Sequence, residues 1–227
     1  SGAAPGEHPE VSWATGNASL AVSTSHAARL RAMGADALVV VNAARSGAPM
    51  ADFARQAALA VEARAEYVTV LLGANDVCRG RVSDMTGVED YRASFREGAQ
   101  RLRDGLPRGA VVLVASVPDV AALAETLADD PRAQTAWRAF RACPVLLSTA
   151  STPEDREAVR ARVAAYAEVL EEEARAFGFA YDGGAVHGTR LLASDVSDLD
   201  YFHPSFSGQA RLANATWAAS PLAEAAS

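Results

Sequence analysis

The chain has 227 residues, 50% of them hydrophobic and 22% charged, with a formal net charge of −7. That length suits one domain around a single core, and the hydrophobic share excludes intrinsic disorder. An acidic balance lacks the basic face that displaces counterions from nucleic acid, and no apolar run approaches the ~18 residues of a membrane span.

Helices and apolar strand-like runs alternate along the chain. Residues 23–33 read as a helix, closed by Gly34 and followed by the apolar run Ala37-Leu38-Val39-Val40-Val41, the first predicted strand. Residues 50–63 give a second helix and residues 67–72 a short buried strand. Thr86 and Glu89 stand at capping-box spacing. They open a helix whose apolar residues Val88, Tyr91, Phe95, Leu102 and Leu106 recur with the 3.6-residue period, and Gly105 and Pro107 stop it. Residues 110–115 form the third strand. Between 120 and 150 the periodicity weakens, and Pro131, Pro144 and the polar stretch 148–152 mark a long excursion, a candidate lid or substrate wall. Thr152 then caps a long helix, with Pro153 at its first position and Asp155 three residues after the cap. Val159, Val163, Tyr166, Leu170 and Phe177 form its buried stripe, and Gly178 ends it. A short strand at 179–181 and a helix at 207–217 complete the pattern. Strands that are apolar throughout and separated by helices indicate a parallel sheet covered on both faces. The reading is one three-layer α/β domain.

Open parallel sheets bind ligands beyond the carboxyl ends of their strands. The residues that follow the three runs are Asn42 to Ala48, Gly73-Ala74-Asn75-Asp76 and Ser116-Val117-Pro118-Asp119; Asp200-Tyr201-Phe202-His203 lies near the C-terminus. Asp200, three residues before His203, can hold one imidazole nitrogen and leave the other to act as a base. Asp195 and Asp198 compete for the carboxylate role, although turn formation and capping account for them equally. The Asn75 amide and the Gly47 backbone N–H can each donate to a developing oxyanion; taken singly, each is also an ordinary turn residue. His8, His26 and His187 are isolated and expected to be exposed, and Trp13, Trp137 and Trp217 are expected in packing. Cys78 and Cys143 are compatible with one disulfide in an exported protein or with two buried thiols. Neither lies in a Cys-x-x-Cys pair, so no metal site is indicated. A Gly-x-Ser-x-Gly elbow and a Lys-bearing phosphate loop are both missing from the sequence.

In order and spacing, Gly47, then Gly73-Ala74-Asn75-Asp76, then Asp200-Tyr201-Phe202-His203 resemble the second, third and fifth blocks of the SGNH hydrolases, also called GDSL lipases and esterases. His8-Pro9-Glu10 with Ser12-Trp13-Ala14-Thr15-Gly16 resembles the secreted bacterial branch of that family. The resemblance covers most of the chain, from residue 1 to Trp217. It implies a flavodoxin-like three-layer α/β/α sandwich with a central parallel sheet. The implied activity is a serine carboxylic-ester hydrolase working through an acyl-enzyme, without metal or organic cofactor, on a small-molecule, lipid or glycan ester. A sugar acyltransferase or deacetylase, or a non-catalytic binding module, is the alternative. His203 becomes the general base and Asp200 its orienting carboxylate. Gly47 and Asn75 become oxyanion donors, and Asp76 a support for the turn. The resemblance also implies a Cys78–Cys143 disulfide and a secreted or extracytoplasmic location.

The family's first block, Gly-Asp-Ser, does not occur in the sequence. With Ser1-Gly2 as the tail of that block, the nucleophile is expected just upstream of Ser1; Ser1 itself is the less regular alternative. The strand that precedes the block is central in the sheet. Its loss would leave buried N–H and C=O groups unpaired at about 1–3 kcal/mol each, against a total stability of ~5–15 kcal/mol. A preceding segment, or a separate N-terminal peptide, is therefore expected to supply it.

Overall fold

The protein is described in a computed structural model over residues 8–16 and 25–223. In chain order the elements begin with α1 (His26–Ala32), α2 (Phe53–Glu62), β1 (Tyr67–Val70), α3 (Ala74–Val77), α4 (Val88–Gly105) and β2 (Val111–Val114). They continue with α5 (Val120–Thr126), α6 (Pro131–Phe140), α7 (Pro144–Leu147), α8 (Pro153–Phe177), β3 (Ala180–Tyr181), α9 (Ala185–Gly188) and α10 (Phe206–Ala218).

The strands form a parallel sheet in the order β1-β2-β3, with Tyr67 opposite Val111, Val70 opposite Val114 and Leu113 opposite Ala180. Alternation along the strands sends side chains to two faces. Val70, Leu72, Val112 and Val114 enter a large apolar cluster with Phe53 of α2, Tyr91 and Phe95 of α4, and Val163 and Tyr166 of α8. Leu71 and Ala115 point the other way, into a smaller cluster with Val186 of α9 and Leu212 of α10. The fold is therefore mixed α/β, with helices against both faces of a parallel sheet.

Local chemistry explains the helix boundaries. On α8, the Thr152 hydroxyl accepts from the Asp155 N–H at 3.2 Å and the Asp155 carboxylate accepts from the Thr152 N–H at 3.0 Å, a reciprocal capping box. The expected box at Thr86 and Glu89 does not form. Gly87 is the N-cap of α4, and the Thr86 hydroxyl donates instead to Asp76 at 2.8 Å. A buried carboxylate is the stronger acceptor, and it draws the side chain away from the helix end. Helices α2 and α4 pack closely because Gly98 has no side chain; a Cβ there would overlap the Phe53 ring. The Tyr91 and Tyr166 rings stack with centroids 3.8 Å apart and join α4 to α8.

Three other expectations are corrected. Residues 37–41 form no strand, and Val39 is 84% and Val41 49% exposed. β-branched residues favour strand only where a neighbouring ladder is present to pair with. Among the described residues, no strand pairs with them or with the outer edge of β1. The 120–150 excursion is three short helices, not irregular chain. Pro131 and Pro144 stand at helix N-termini, where a missing N–H costs nothing, and Asp119 and Asp130 cap α5 and α6. His26 is 1% exposed. Its Nδ1 lies 2.8 Å from the Tyr67 hydroxyl and its Nε2 2.8 Å from the Thr216 hydroxyl, and Trp13 and Trp217 present their rings edge-on. Thr216 already donates to the Leu212 carbonyl, so His26 carries its proton on Nε2 and accepts from Tyr67. Burial lowers its pKa to about 4. Trp13 and Trp217 thus serve in packing, as expected. Among the described residues no helix is long and apolar enough to cross a membrane.

Candidate active site

Two of the predicted side chains meet directly. His203 Nδ1 lies 2.6 Å from Asp200 Oδ2, while Asp200 Oδ1 accepts the backbone N–H groups of Phe202 at 2.9 Å and His203 at 3.0 Å. The carboxylate therefore folds the loop around itself before it holds the imidazole. Half-burial works to raise the Asp200 pKa, but the hydrogen bonds from His203 and the two amides outweigh it and hold the group below the ordinary aspartate value. With Nδ1–H committed to Asp200, His203 Nε2 carries the lone pair, and the side chain is 72% exposed. This imidazole can take a proton from a group outside the described residues.

The loop is fixed from below. Val196 and Pro204 form an antiparallel bridge, Ser197 N–H donates to the His203 carbonyl at 2.8 Å, and Ser205 N–H donates to the Asp195 carbonyl at 2.8 Å. Asp195, one of the two competing carboxylates, is buried. It accepts from the Leu192 N–H at 3.0 Å and pairs with Arg211 Nε at 2.6 Å, so it anchors the loop and does not face the imidazole. Tyr201 adopts φ +54°, a conformation uncommon for a residue with a Cβ, and its carbonyl accepts the Trp137 indole N–H at 2.8 Å.

Gly47 and Asn75 form a second pair. The turn from Arg45 to Ala48 closes with a 3.1 Å hydrogen bond and places Gly47 at φ +75°, as the third position of a type II turn requires. The neighbouring Ala48 carbonyl accepts the Asn75 Nδ2–H at 3.2 Å. One amide hydrogen of Asn75 thus holds the turn, and a second remains on the same nitrogen. Asn75 sits in α3, immediately after Gly73, whose φ of +129° only glycine adopts readily. A Cβ at Gly73 would also lie 2.5 Å from Val117 Cγ2 and 2.8 Å from the Tyr91 hydroxyl. Asp76 is fully buried and accepts from the Met50 N–H and the Thr86 hydroxyl, each at 2.8 Å. Burial pushes its pKa up. It clamps the 47–50 segment to the 73–77 turn.

The structure brings Asp200 to His203 and the Gly47 turn to Asn75. The helices α6 and α7 run between the two pairs. Cys78, two residues past Asp76, is disulfide-bonded to Cys143, and Val145 N–H donates to the Arg79 carbonyl at 2.9 Å. From there α6 reaches Tyr201 through Trp137. Sequence reading placed Trp137 in packing but gave no sign of this bond, because the Tyr201 backbone that receives it has no sequence signature. His187 is exposed, as expected, with Nδ1 3.1 Å from the Val117 carbonyl. His8 pairs with Glu10 at 2.8 Å. Ser1 and Gly2 lie outside the described residues. No group of three His, Cys, Asp or Glu side chains among the described residues is arranged to hold a metal ion.

No curated protein sequence matches the chain. Residues 12–211, however, match the family described as the GDSL-like lipase/acylhydrolase family. That span contains the turn at Gly47, the Asn75 turn and the Asp200–His203 loop, and it makes this chain a member of the GDSL-like lipase/acylhydrolase family.

Proposed function

We propose that the protein is a serine carboxylic-ester hydrolase, built on a flavodoxin-like three-layer α/β/α sandwich and acting outside the cytoplasm. The observation that carries this reading is the 2.6 Å bond between Asp200 and an exposed His203, in a chain of the lipase/acylhydrolase family. In the proposed cycle, a serine oxygen attacks the ester carbonyl while His203 Nε2 takes its proton. Asp200 stabilises the imidazolium and fixes the tautomer. The tetrahedral oxyanion is met by the Gly47 N–H and the free hydrogen of the Asn75 amide, each such donor being worth roughly 3–4 kcal/mol. His203 returns the proton to the departing alcohol, and the acyl-enzyme forms. Water, deprotonated by the same base, then releases the acid.

The serine belongs, on this reading, to a Gly-Asp-Ser segment whose strand pairs with the outer edge of β1 and completes the sheet. Support comes from that edge, to which no described strand is paired. The extracytoplasmic location is supported by the Cys78–Cys143 disulfide, which a reducing compartment would not sustain.

The test is turnover of p-nitrophenyl esters by the protein carrying its Gly-Asp-Ser block. The wild type is expected to hydrolyse them and to gain one fluorophosphonate adduct by intact mass. His203→Ala is expected to lose turnover, and retained activity in that variant would overturn the assignment.

A further inference from the structure

Beyond the carboxyl end of β2, helices α5, α8 and α9 converge on a recess of about 230 Å³. We propose that this recess binds a small primary ammonium ion whose apolar body carries about six carbons, at a site independent of the ester chemistry.

The floor of the recess is apolar. Val120 and Ala121 of α5 and Val159 and Val163 of α8 line it, and all four are buried. An apolar cavity of about 150 Å³ holds a benzene-sized guest, so the recess has room for a body of that size and a polar head.

The rim offers hydrogen-bond acceptors. The Val117 carbonyl lies 3.1 Å from His187 Nδ1, which therefore carries the ring proton and leaves Nε2 as a bare lone pair. The backbone beneath that ring is fixed, because the His187 N–H donates to the Ser116 hydroxyl at 2.9 Å. Asp119 commits one carboxylate oxygen to α5, where Oδ1 accepts the N–H groups of Ala121 at 3.1 Å and Ala122 at 3.0 Å. Its Oδ2, like His187 Nε2, has no hydrogen-bond partner among the described residues. Arg160 also lines the recess, but its guanidinium is already answered by Glu125 and, at 3.6 Å, by Glu157. The mouth thus holds the carboxylates of Asp119, Glu125 and Glu157 against one guanidinium, a balance that disfavours an anion.

These features select the ligand class. A hydroxyl has one proton and serves only one of two open acceptors, whereas an ammonium has three and meets both. A divalent metal ion of the magnesium or calcium kind takes about six or more oxygen ligands, and a floor of valine and alanine supplies none. An alkylammonium covers that floor with its carbon chain and brings its charge to the acidic rim.

Methyl-labelled protein titrated at pH 8 with n-hexylammonium, 1-hexanol and hexanoate tests the proposal without requiring turnover. Hexylammonium is expected to shift the Val159 and Val163 methyl signals. It is expected to bind about fivefold or more tighter than 1-hexanol, because its hydrogen bonds are charge-assisted. Hexanoate is expected to bind weakest. Asp119→Asn keeps an oxygen to cap α5 but turns the second acceptor into a donor, and should weaken hexylammonium about fivefold or more. Should that variant not fold, Ala164→Leu decides instead. Ala164 lies on the exposed side of α8 and lines the recess, so leucine there narrows the space and should weaken hexylammonium by a similar factor. Equal or tighter binding of 1-hexanol or hexanoate, shifts confined to other methyls, or unchanged affinity in the deciding variant would overturn the proposal.

Discussion

His26 makes the protein acid-sensitive in a defined window. In the folded state its ring is enclosed by Trp13, Tyr67 and Trp217 and titrates near pH 4 because burial, aided by the Arg29 charge, opposes protonation. In the unfolded chain the same group takes its proton at the ordinary value of 6.5. Between these two values only the unfolded state binds the proton. Stability is therefore intact above about pH 6.5 and declines as the pH falls toward 4, by roughly 1.4 kcal/mol per unit and about 3 kcal/mol in all. The assay is urea unfolding from pH 7.5 to pH 4.5 on wild type and His26→Gln. Glutamine does not titrate, and the remaining ionisable groups are shared, so the difference in slope isolates His26. The variant is expected to be less stable at pH 7 through loss of the Tyr67 and Thr216 hydrogen bonds, yet to lose about 2.5 kcal/mol less than wild type on acidification to pH 4.5. Parallel pH profiles for the two proteins would refute the reasoning.

Three further outcomes follow from the same geometry. Asp200→Asn keeps the loop's size but reverses the hydrogen-bond demand on His203 Nδ1; in the active protein, kcat for p-nitrophenyl esters should fall by roughly 10³–10⁴ with KM little changed. Gly73→Ala must fit a Cβ 2.5 Å from Val117 Cγ2 at a φ of +129°, so strain and overpacking together should cost about 2–4 kcal/mol in chemical denaturation. The Cys78→Ala/Cys143→Ala pair opens a loop with a sequence separation of 65, which the chain-entropy estimate converts to about 4 kcal/mol and a fall in Tm on the order of 10 °C by calorimetry.

Much of this architecture was legible because its signals are local. The capping box at Thr152, the 3.6-residue stripe from Val159 to Leu170 and the uncharged strands at 67–70 and 111–114 depend on neighbours close in sequence, and the structure contains all of them. The readings that failed depended on distant partners. Residues 37–41 have strand composition, but a strand exists only with a ladder beside it, and none of the described strands offers one. Thr86 could have capped its own helix had Asp76 not been brought to it across the Asn75 turn. His26 looked isolated because Tyr67 and Thr216, 41 and 190 residues away, reach it only after folding. In the candidate site, the Asp200–His203 pair lies within one loop and was readable. The Trp137 bond to Tyr201 spans 64 residues and was not.

The long-range contacts also explain why the least patterned stretch of sequence matters to the site. A loop that carries a base needs a rigid support, because an error of one ångström in a reacting group costs on the order of 10²-fold in rate. His203 is exposed at the end of a half-buried loop, and the Tyr201 backbone is held in an uncommon conformation. Trp137 supplies a buried donor at that residue. Helix α6 is itself followed by Cys143, whose disulfide joins it to the chain just beyond Asn75 and Asp76. The His203 loop and the Asn75 turn are thus both tied to one bridging segment, through the Trp137–Tyr201 hydrogen bond and the Cys78–Cys143 disulfide. The short helices of 120–150 pack against one another and against α8, and their apolar residues join the main core cluster, so their periodicity answers to several neighbours at once.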